Sequence, residues 1–249
     1  MEYPGRFRGA QYTAWRMNPS TWLSAGEIEA LHLSLSVALR SVGFSLLPAI
    51  VVAWVLTRRR FPGRSLLDAA VHLPLVLPPV AVGYVLLVLF GARGVIGSRL
   101  ERWFGIELIF TRNGAALAAA VMSFPLMVRA IRISLDNIDR GLEDAARTLG
   151  AGPLDRFVAI TLPLMLPGLL AGAITAFSAA LGEFGAVITF VSNIPGETRT
   201  LPLALYSALQ EPGGEAAAAR LAILSVVLGL GGLLVSEWFA RRVRRMLGP

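Results

Sequence analysis

The amino-acid sequence predicts an all-α polytopic membrane protein with about five transmembrane helices. Hydrophobic residues make up 55% of its 249 residues and charged residues only 16%, whereas soluble domains average about 45–50% and about a quarter. Several apolar runs are also close to the roughly 20 residues that a helix needs to cross the hydrocarbon core of a bilayer. Lipid is therefore the solvent that this composition fits.

The chain divides into a polar N-terminal tail over residues 1–29, a membrane domain over 30–240 and a basic tail over 241–249. The predicted spans are 30–56, 66–90, 115–133, 157–181 and 216–239. Between the last two spans, residues 183–215 hold two apolar pieces that are too short to cross the membrane alone. We expect this stretch to be either a re-entrant segment beside a watery cavity or an outer loop, since irregular backbone is not tolerated against lipid.

Arginine predicts the orientation of the spans. The loops and tail on one side carry twelve arginines, including those of 58–60 and 241–245, against eight on the other side. Because arginine-rich loops stay in the cytoplasm, we expect the N-terminus outside and the C-terminus in the cytoplasm.

Three arginines fall within or beside apolar runs. Arg129 and Arg220 are expected to snorkel to the interface, and Arg40 to pair inside the bundle.

Several classes of function are excluded by residues that the sequence lacks. All 23 basic residues are arginine, and a P-loop ATPase needs a lysine, so any ATP hydrolysis belongs to another subunit. The chain has no cysteine and two histidines, which excludes thiolate chemistry and histidine-rich metal sites. The motifs of zinc and serine hydrolases are absent. We expect a non-catalytic subunit with no cofactor, no metal and no nucleic-acid partner.

The loop over residues 136–156 predicts a short amphipathic helix on the cytoplasmic side. Asp139 is placed to cap its start and Gly150 to end it. Glu143 and Arg147 are spaced to pair one turn apart. Apolar residues at helical spacing form a narrow stripe, namely Leu142, Ala145, Ala146 and Leu149. Two interpretations follow: the stripe packs against the chain's own bundle, or a groove in another protein binds it.

The spacing around this helix resembles the cytoplasmic signature of importer permeases, E-A-A, three residues, G, nine residues, I-x-L-P. The matching residues are Asp144, Ala145, Ala146, Leu149, Gly150, Ile160, Leu162 and Pro163. The resemblance implies a type I ABC importer permease whose coupling helix docks into an ATPase subunit. Asp144 stands where the family usually has glutamate, so no chemical role is assigned to this carboxylate.

Two further stretches resemble the molybdate permease family, one over residues 61–79 and one over 182–200. The resemblance implies import of molybdate or tungstate across the bacterial inner membrane. Its implied partners are a second copy of the permease, two ATP-binding subunits and a periplasmic molybdate-binding protein. A sulfate or thiosulfate importer permease is the first alternative, because sulfate permeases share the Gly-Glu-Phe-Gly-Ala turn at 182–186. An ion-coupled carrier is less favoured, since it would ordinarily need more carboxylates within its spans.

Polar residues after the fourth span are candidates for the translocation pathway. Glu183 is a carboxylate at the end of that span, and ionisable groups at membrane depth are often functional. The following loop supplies further polar groups, from Ser192, Asn193, Thr198 and Arg199. Such groups suit brief contact with an oxyanion. The alternatives are that Glu183 caps or pairs locally and that the loop is a turn facing a receptor.

Overall fold

The computed structural model describes residues 22–247, and within this range the chain is helical with no β-strand. The helices are α1 Ala25–Arg58, α2 Arg64–Val76, α3 Pro79–Phe90, α4 Gly97–Phe104, α5 Arg112–Asp136, α6 Arg140–Thr148, α7 Pro153–Arg156, α8 Leu162–Leu181, α9 Gly185–Val191, α10 Leu201–Gln210 and α11 Glu215–Leu247. A single π-helical turn, Phe157–Thr161, joins α7 to α8. The predicted all-α class is confirmed.

The described part of the chain contains up to five segments that are long and apolar enough to cross a membrane. Four are single helices, namely α1, α5, α7 through α8, and α11. The fifth is the pair α2 and α3, which is bent by 116° at the break between them. At this break Leu77 is extended, and Pro78 precedes Pro79, the first residue of α3. A residue before proline disfavours the α conformation, so the consecutive prolines account for the break.

Helix α1 begins earlier than predicted, inside the segment 1–29 that the sequence assigned to a polar tail. Ser24 and Glu27 form a capping box at its start, and Glu27 is fully buried. Both oxygens of Glu27 are used, since Oε2 accepts from Ser24 N at 2.6 Å and Oε1 from Arg220 Nη2 at 2.8 Å. At the other end α11 continues to Leu247. Residues 1–21, the greater part of the predicted tail, lie outside the described residues.

Helix α5 lies at the centre of the bundle. Of the 18 consecutive residues that are most apolar in α5, 61% are buried, against 28% or less for the same length of the other single-helix spans. Its buried residues are mainly small, and they include Ala115, Ala116, Ala118 and Ala119. Small side chains let membrane helices approach closely. A Cβ at Gly168 of α8 would lie 2.3 Å from Ser134 Cβ of α5, so only glycine fits at this contact.

The helices define two ends of the bundle. One, which we call the α6 end, holds α6 with the C-terminus of α1, because Arg58 contacts Glu143. The opposite end, which we call the loop end, holds residues 192–200. There Leu201 N donates to Ser34 Oγ at 2.6 Å, and Arg112 contacts Gly196 and Glu197.

Candidate functional site

Helix α6 has the caps that its sequence predicts. Asp139 accepts a hydrogen bond from Gly141 N at 2.8 Å and so caps the start. The helix ends at Thr148 with Leu149 as its C-cap, and Gly150 follows with φ of 89°. This left-handed conformation favours glycine. A well-bounded helix of nine residues therefore projects from the bundle.

The apolar stripe of α6 is exposed. Leu149 is 88% exposed and Leu142 49%, Ala145 is exposed, and Ala146 is half-buried. The interpretation that the stripe packs against the chain's own bundle is therefore wrong for Leu142, Ala145 and Leu149. Asp144 also lies at the surface of α6. An exposed apolar stripe on a capped helix is the form that a groove in another protein can bind.

The other face of α6 is held to the bundle by Glu143. Its Oε1 accepts from Arg58 Nη2 at 2.9 Å and from Thr161 Oγ1 at 2.9 Å. Glu143 thus contacts α1 and the π-helical turn. The spacing of the sequence had instead predicted an ion pair between Glu143 and Arg147. Arg58 is preferred because its side chain is largely buried, whereas Arg147 is exposed to solvent.

The second half of the permease signature lies at the base of α8. Ile160 belongs to the π-helical turn and is half-buried. Leu162 packs at the edge of a buried cluster that includes Met127 and Ile131 of α5, and Pro163 is exposed in the first turn of α8. The signature therefore covers an exposed helix and the root of the span that follows it.

Glu183 caps a helix locally. It lies between α8 and α9, is half-buried, and its Oε1 accepts from Ala186 N at 2.9 Å. Helix α9 packs along α3, where a Cβ at Gly83 would lie 2.7 Å from Ala186 O. The capping alternative for Glu183 is therefore present in the structure.

The loop over 192–200 is held by its own polar side chains. Thr198 is fully buried, and its hydroxyl donates to Ser192 O and accepts from Ile194 N. Arg199 Nε donates to Asn193 Oδ1 at 3.0 Å, and Asn193 Nδ2 donates to Ser207 Oγ at 2.8 Å. Ser192 is exposed and has φ of 65° and ψ of −165°, a conformation that only glycine adopts readily.

Two arginines form contacts that the sequence did not indicate. Arg220 was expected to snorkel, but it pairs with the buried Glu27. Arg40 was expected to pair inside the bundle; it is exposed, and its Nη1 donates to Asn113 Oδ1 of α5 at 3.0 Å. Both partners are far away in the sequence, so local spacing carries no signal for either contact.

Among the described residues, no group of three or more acidic or histidine side chains could hold a metal ion.

Residues 45–245 match the family model described as binding-protein-dependent transport system inner membrane component. The chain belongs to this family. The match covers most of the chain, and with the five apolar spans it identifies an integral protein of the inner membrane and a transport permease. The family that the signature of α6 suggested is confirmed.

Curated relatives place the permease close to molybdenum transport proteins. It is 59% identical over 226 residues to the molybdenum transport system permease protein ModB of Escherichia coli, covering 91% of this chain and 99% of that protein. The corresponding ModB of Haemophilus influenzae is 56% identical, with 89% and 97% covered. The sulfate transport system permease protein CysT of Salmonella typhimurium is 37% identical, with 96% and 84% covered.

Solved structures with the same fold are importer permeases. A chain of a bacterial ABC transporter for the acidic polysaccharide alginate aligns with a TM-score of 0.70 at 19% identity, covering 89% of this chain and 81% of that one. A chain of the inward-facing methionine transporter MetNI aligns with a TM-score of 0.67 at 18% identity, covering 92% and 100%. The predicted importer-permease architecture is confirmed.

Proposed function

We propose that this permease is the membrane-spanning subunit of an ATP-driven importer of molybdate or tungstate. The exposed stripe of α6 carries the proposal, because a docking helix at one end of the bundle accounts for an apolar surface left uncovered in the chain. The identity of 59% to a molybdenum transport permease supports molybdate over sulfate, for which the relative quoted above is 37% identical.

The proposed assembly contains two copies of the permease, two ATP-binding subunits and a periplasmic molybdate-binding protein. Helix α6 of each copy docks in a groove of one ATP-binding subunit. Closure of the two ATP-binding subunits on ATP draws the α6 helices together, and the spans rock between inward-facing and outward-facing states. Because a P-loop needs a lysine and the sequence has none, ATP hydrolysis belongs to the ATP-binding subunits.

The proposed orientation puts the α6 end in the cytoplasm and the loop end in the periplasm. The arginine bias of the loops supports it. With this orientation the N-terminus is outside, the C-terminus is inside, and the loop over 192–200 faces the binding protein that delivers the anion.

We assign the translocation pathway to Glu183, Ser192, Asn193 and Arg199, with Thr198 as a support for the loop. Ser192 is exposed at the loop end, and Asn193 and Arg199 are half-buried beside it. The hydroxyl of Ser192, the amide of Asn193 and the guanidinium of Arg199 can donate to a tetrahedral oxyanion, while the contact between Asn193 and Arg199 limits the strength of binding. Weak binding suits conduction, which requires that the anion leave as well as enter.

The proposal is tested by ATP-dependent uptake of radiolabelled molybdate into liposomes that contain the permease, its ATP-binding subunit and its binding protein. We expect uptake that tungstate inhibits and excess sulfate does not. Equal uptake of sulfate would contradict the assignment of substrate and favour the sulfate alternative.

The docking role of α6 is tested in the same liposomes with Gly150→Asp. Gly150 has φ of 89°, and a side chain there costs about 1 kcal/mol or more in a left-handed conformation and adds charge beside the stripe. We expect loss of uptake and of ATP-binding subunit co-purified with the permease. Normal uptake by the variant would mean that α6 does not couple the two subunits.

A further inference from the structure

Glu143 joins three separate segments of the chain through one carboxylate oxygen. Its Oε1 accepts from Arg58 Nη2 at the end of α1 and from Thr161 Oγ1 in the π-helical turn before α8, both at 2.9 Å. The two donors are 85 and 18 positions away along the chain. A displacement of α6 therefore acts on the ends of two membrane spans through this one side chain.

The three side chains lie largely out of water. The Arg58 side chain is 9% exposed and that of Glu143 23%, and Thr161 is 3% exposed. Hydrogen bonds to charged groups in such surroundings are stronger than those at a surface. The Nε of Arg58 is also buried and has no hydrogen-bond partner in the described part of the chain. Removing the Glu143 charge would leave the guanidinium buried without its counter-ion.

Packing contributes little to the attachment of α6. No residue of 141–148 is buried, and the two large apolar side chains of the stripe, Leu142 and Leu149, are exposed. Among residues 141–148, Glu143 is the side chain that forms hydrogen bonds with α1 and with the turn before α8. A force applied to α6 reaches the spans by this contact and by the short chain connections at each end.

The segment that receives this contact is a π-helical turn. Leu162 N donates to Phe157 O, five residues earlier. Such turns are rare inside α-helices and frequently lie at functional sites. Thr161 is the last residue of the turn. The carboxylate of Glu143 is therefore hydrogen-bonded to an irregular turn at the base of α8.

We propose that Glu143 is a positioning residue that transmits the movement of α6 to the bases of α1 and α8. The proposal deepens the function proposed above and depends on it, since it requires an ATP-binding subunit that moves α6. Docking depends on the exposed stripe, whereas transmission depends on Glu143, Arg58 and Thr161. The two roles lie on different side chains of one helix and can be separated by substitution.

The test measures molybdate uptake, ATP hydrolysis and co-purified ATP-binding subunit for Glu143→Gln in the complete transporter in liposomes. We expect the subunit to co-purify as with the wild type, and molybdate moved per ATP hydrolysed to fall about tenfold, as loss of a charged hydrogen bond would give. Thr161→Val should lower the same ratio by a smaller factor. The double variant Arg58→Glu with Glu143→Arg should restore part of the ratio of uptake to hydrolysis. The exchanged ion pair can re-form, and the hydroxyl of Thr161 can accept from an arginine at 143 as well as donate.

Glu237→Gln is the matched control. It makes the same change in an ion pair with Arg241 whose side chains are 52% and 66% exposed, and exposed pairs contribute little. An unchanged ratio of uptake to hydrolysis in Glu143→Gln would overturn the inference. Loss of the co-purified subunit in that variant would also overturn it, since Glu143 would then only fold the docking surface. Absence of uptake in the wild type would instead contradict the proposed function.

Discussion

One buried ion pair joins helices at each end of this bundle. At the loop end Glu27 is fully buried against Arg220, whose side chain is 12% exposed. At the α6 end Arg58 is 9% exposed against Glu143. Each pair joins helices that are distant in the sequence, so each charge defines which helices meet. Removing one member of a buried pair costs more than the pair contributes, because the other charge is left without a partner.

Glu27→Gln is expected to lower the free energy of unfolding by about 3–5 kcal/mol, the usual effect of breaking a buried pair. It also weakens the capping box with Ser24. The measurement is thermal unfolding of the purified permease in detergent. Glu237→Gln, in the exposed pair with Arg241, is the control and should change the unfolding free energy by less than about 1 kcal/mol. Equal effects of the two variants would contradict the structural role of Glu27.

At the scale of the helix, close packing of α5 with α8 depends on small residues. Gly168 faces Ala130 and Ser134 of α5, and Gly172 faces Met127 and Ala130. The chain cannot add even a methyl group at Gly168 without moving one of the helices. Glycine at these positions therefore serves the approach of two helices rather than a turn.

Gly168→Ala is expected to destabilise the bundle by about 1–3 kcal/mol, as overpacking does. The matched control is Gly43→Ala in α1, where a Cβ would meet nothing within 4 Å. The control should be neutral or gain up to about 1 kcal/mol from helix propensity. Thermal unfolding in detergent distinguishes the two. If Gly168→Ala were as stable as the control, the close contact of α5 and α8 would be wrong.

Local signals predicted the helices better than the contacts between them. Hydropathy indicated five spans, and Asp139 and Gly150 marked the ends of α6, because caps and turns depend on neighbouring residues. Glu27 was read as part of a polar tail, since its partner lies 193 positions away. For Glu143 the sequence indicated Arg147, one helical turn away, as the partner, because the contact with the distant Arg58 leaves no local signal. The pathway through Glu183 and Ser192 remains a prediction, because in the proposed assembly it depends on how two copies of the permease face each other.

At the scale of the whole molecule, the two ends of the bundle have different chemistry. The α6 end presents an apolar stripe with arginine-rich segments, and the loop end presents a hydrogen-bonded loop with Ser192 exposed. An importer needs this difference, since one end binds the subunits that supply energy and the other receives the anion. The bent pair of α2 and α3 lies between them.

The orientation is tested by labelling single cysteines with a maleimide that does not cross membranes. The natural chain has no cysteine, so an introduced one is the only reactive thiol. We expect Glu211→Cys, exposed at the loop end, to be labelled in cells whose inner membrane is intact. Thr148→Cys, exposed on α6, should be labelled only after that membrane is opened. The reverse pattern would place the N-terminus in the cytoplasm.

The ion pair between Glu27 and Arg220 also has a consequence for synthesis. Glu27 belongs to the first described helix and Arg220 to the last. Until α11 has been made, the carboxylate of Glu27 therefore lacks the counter-ion that it has in the folded permease. A permease truncated before α11 would leave this carboxylate unpaired with Arg220.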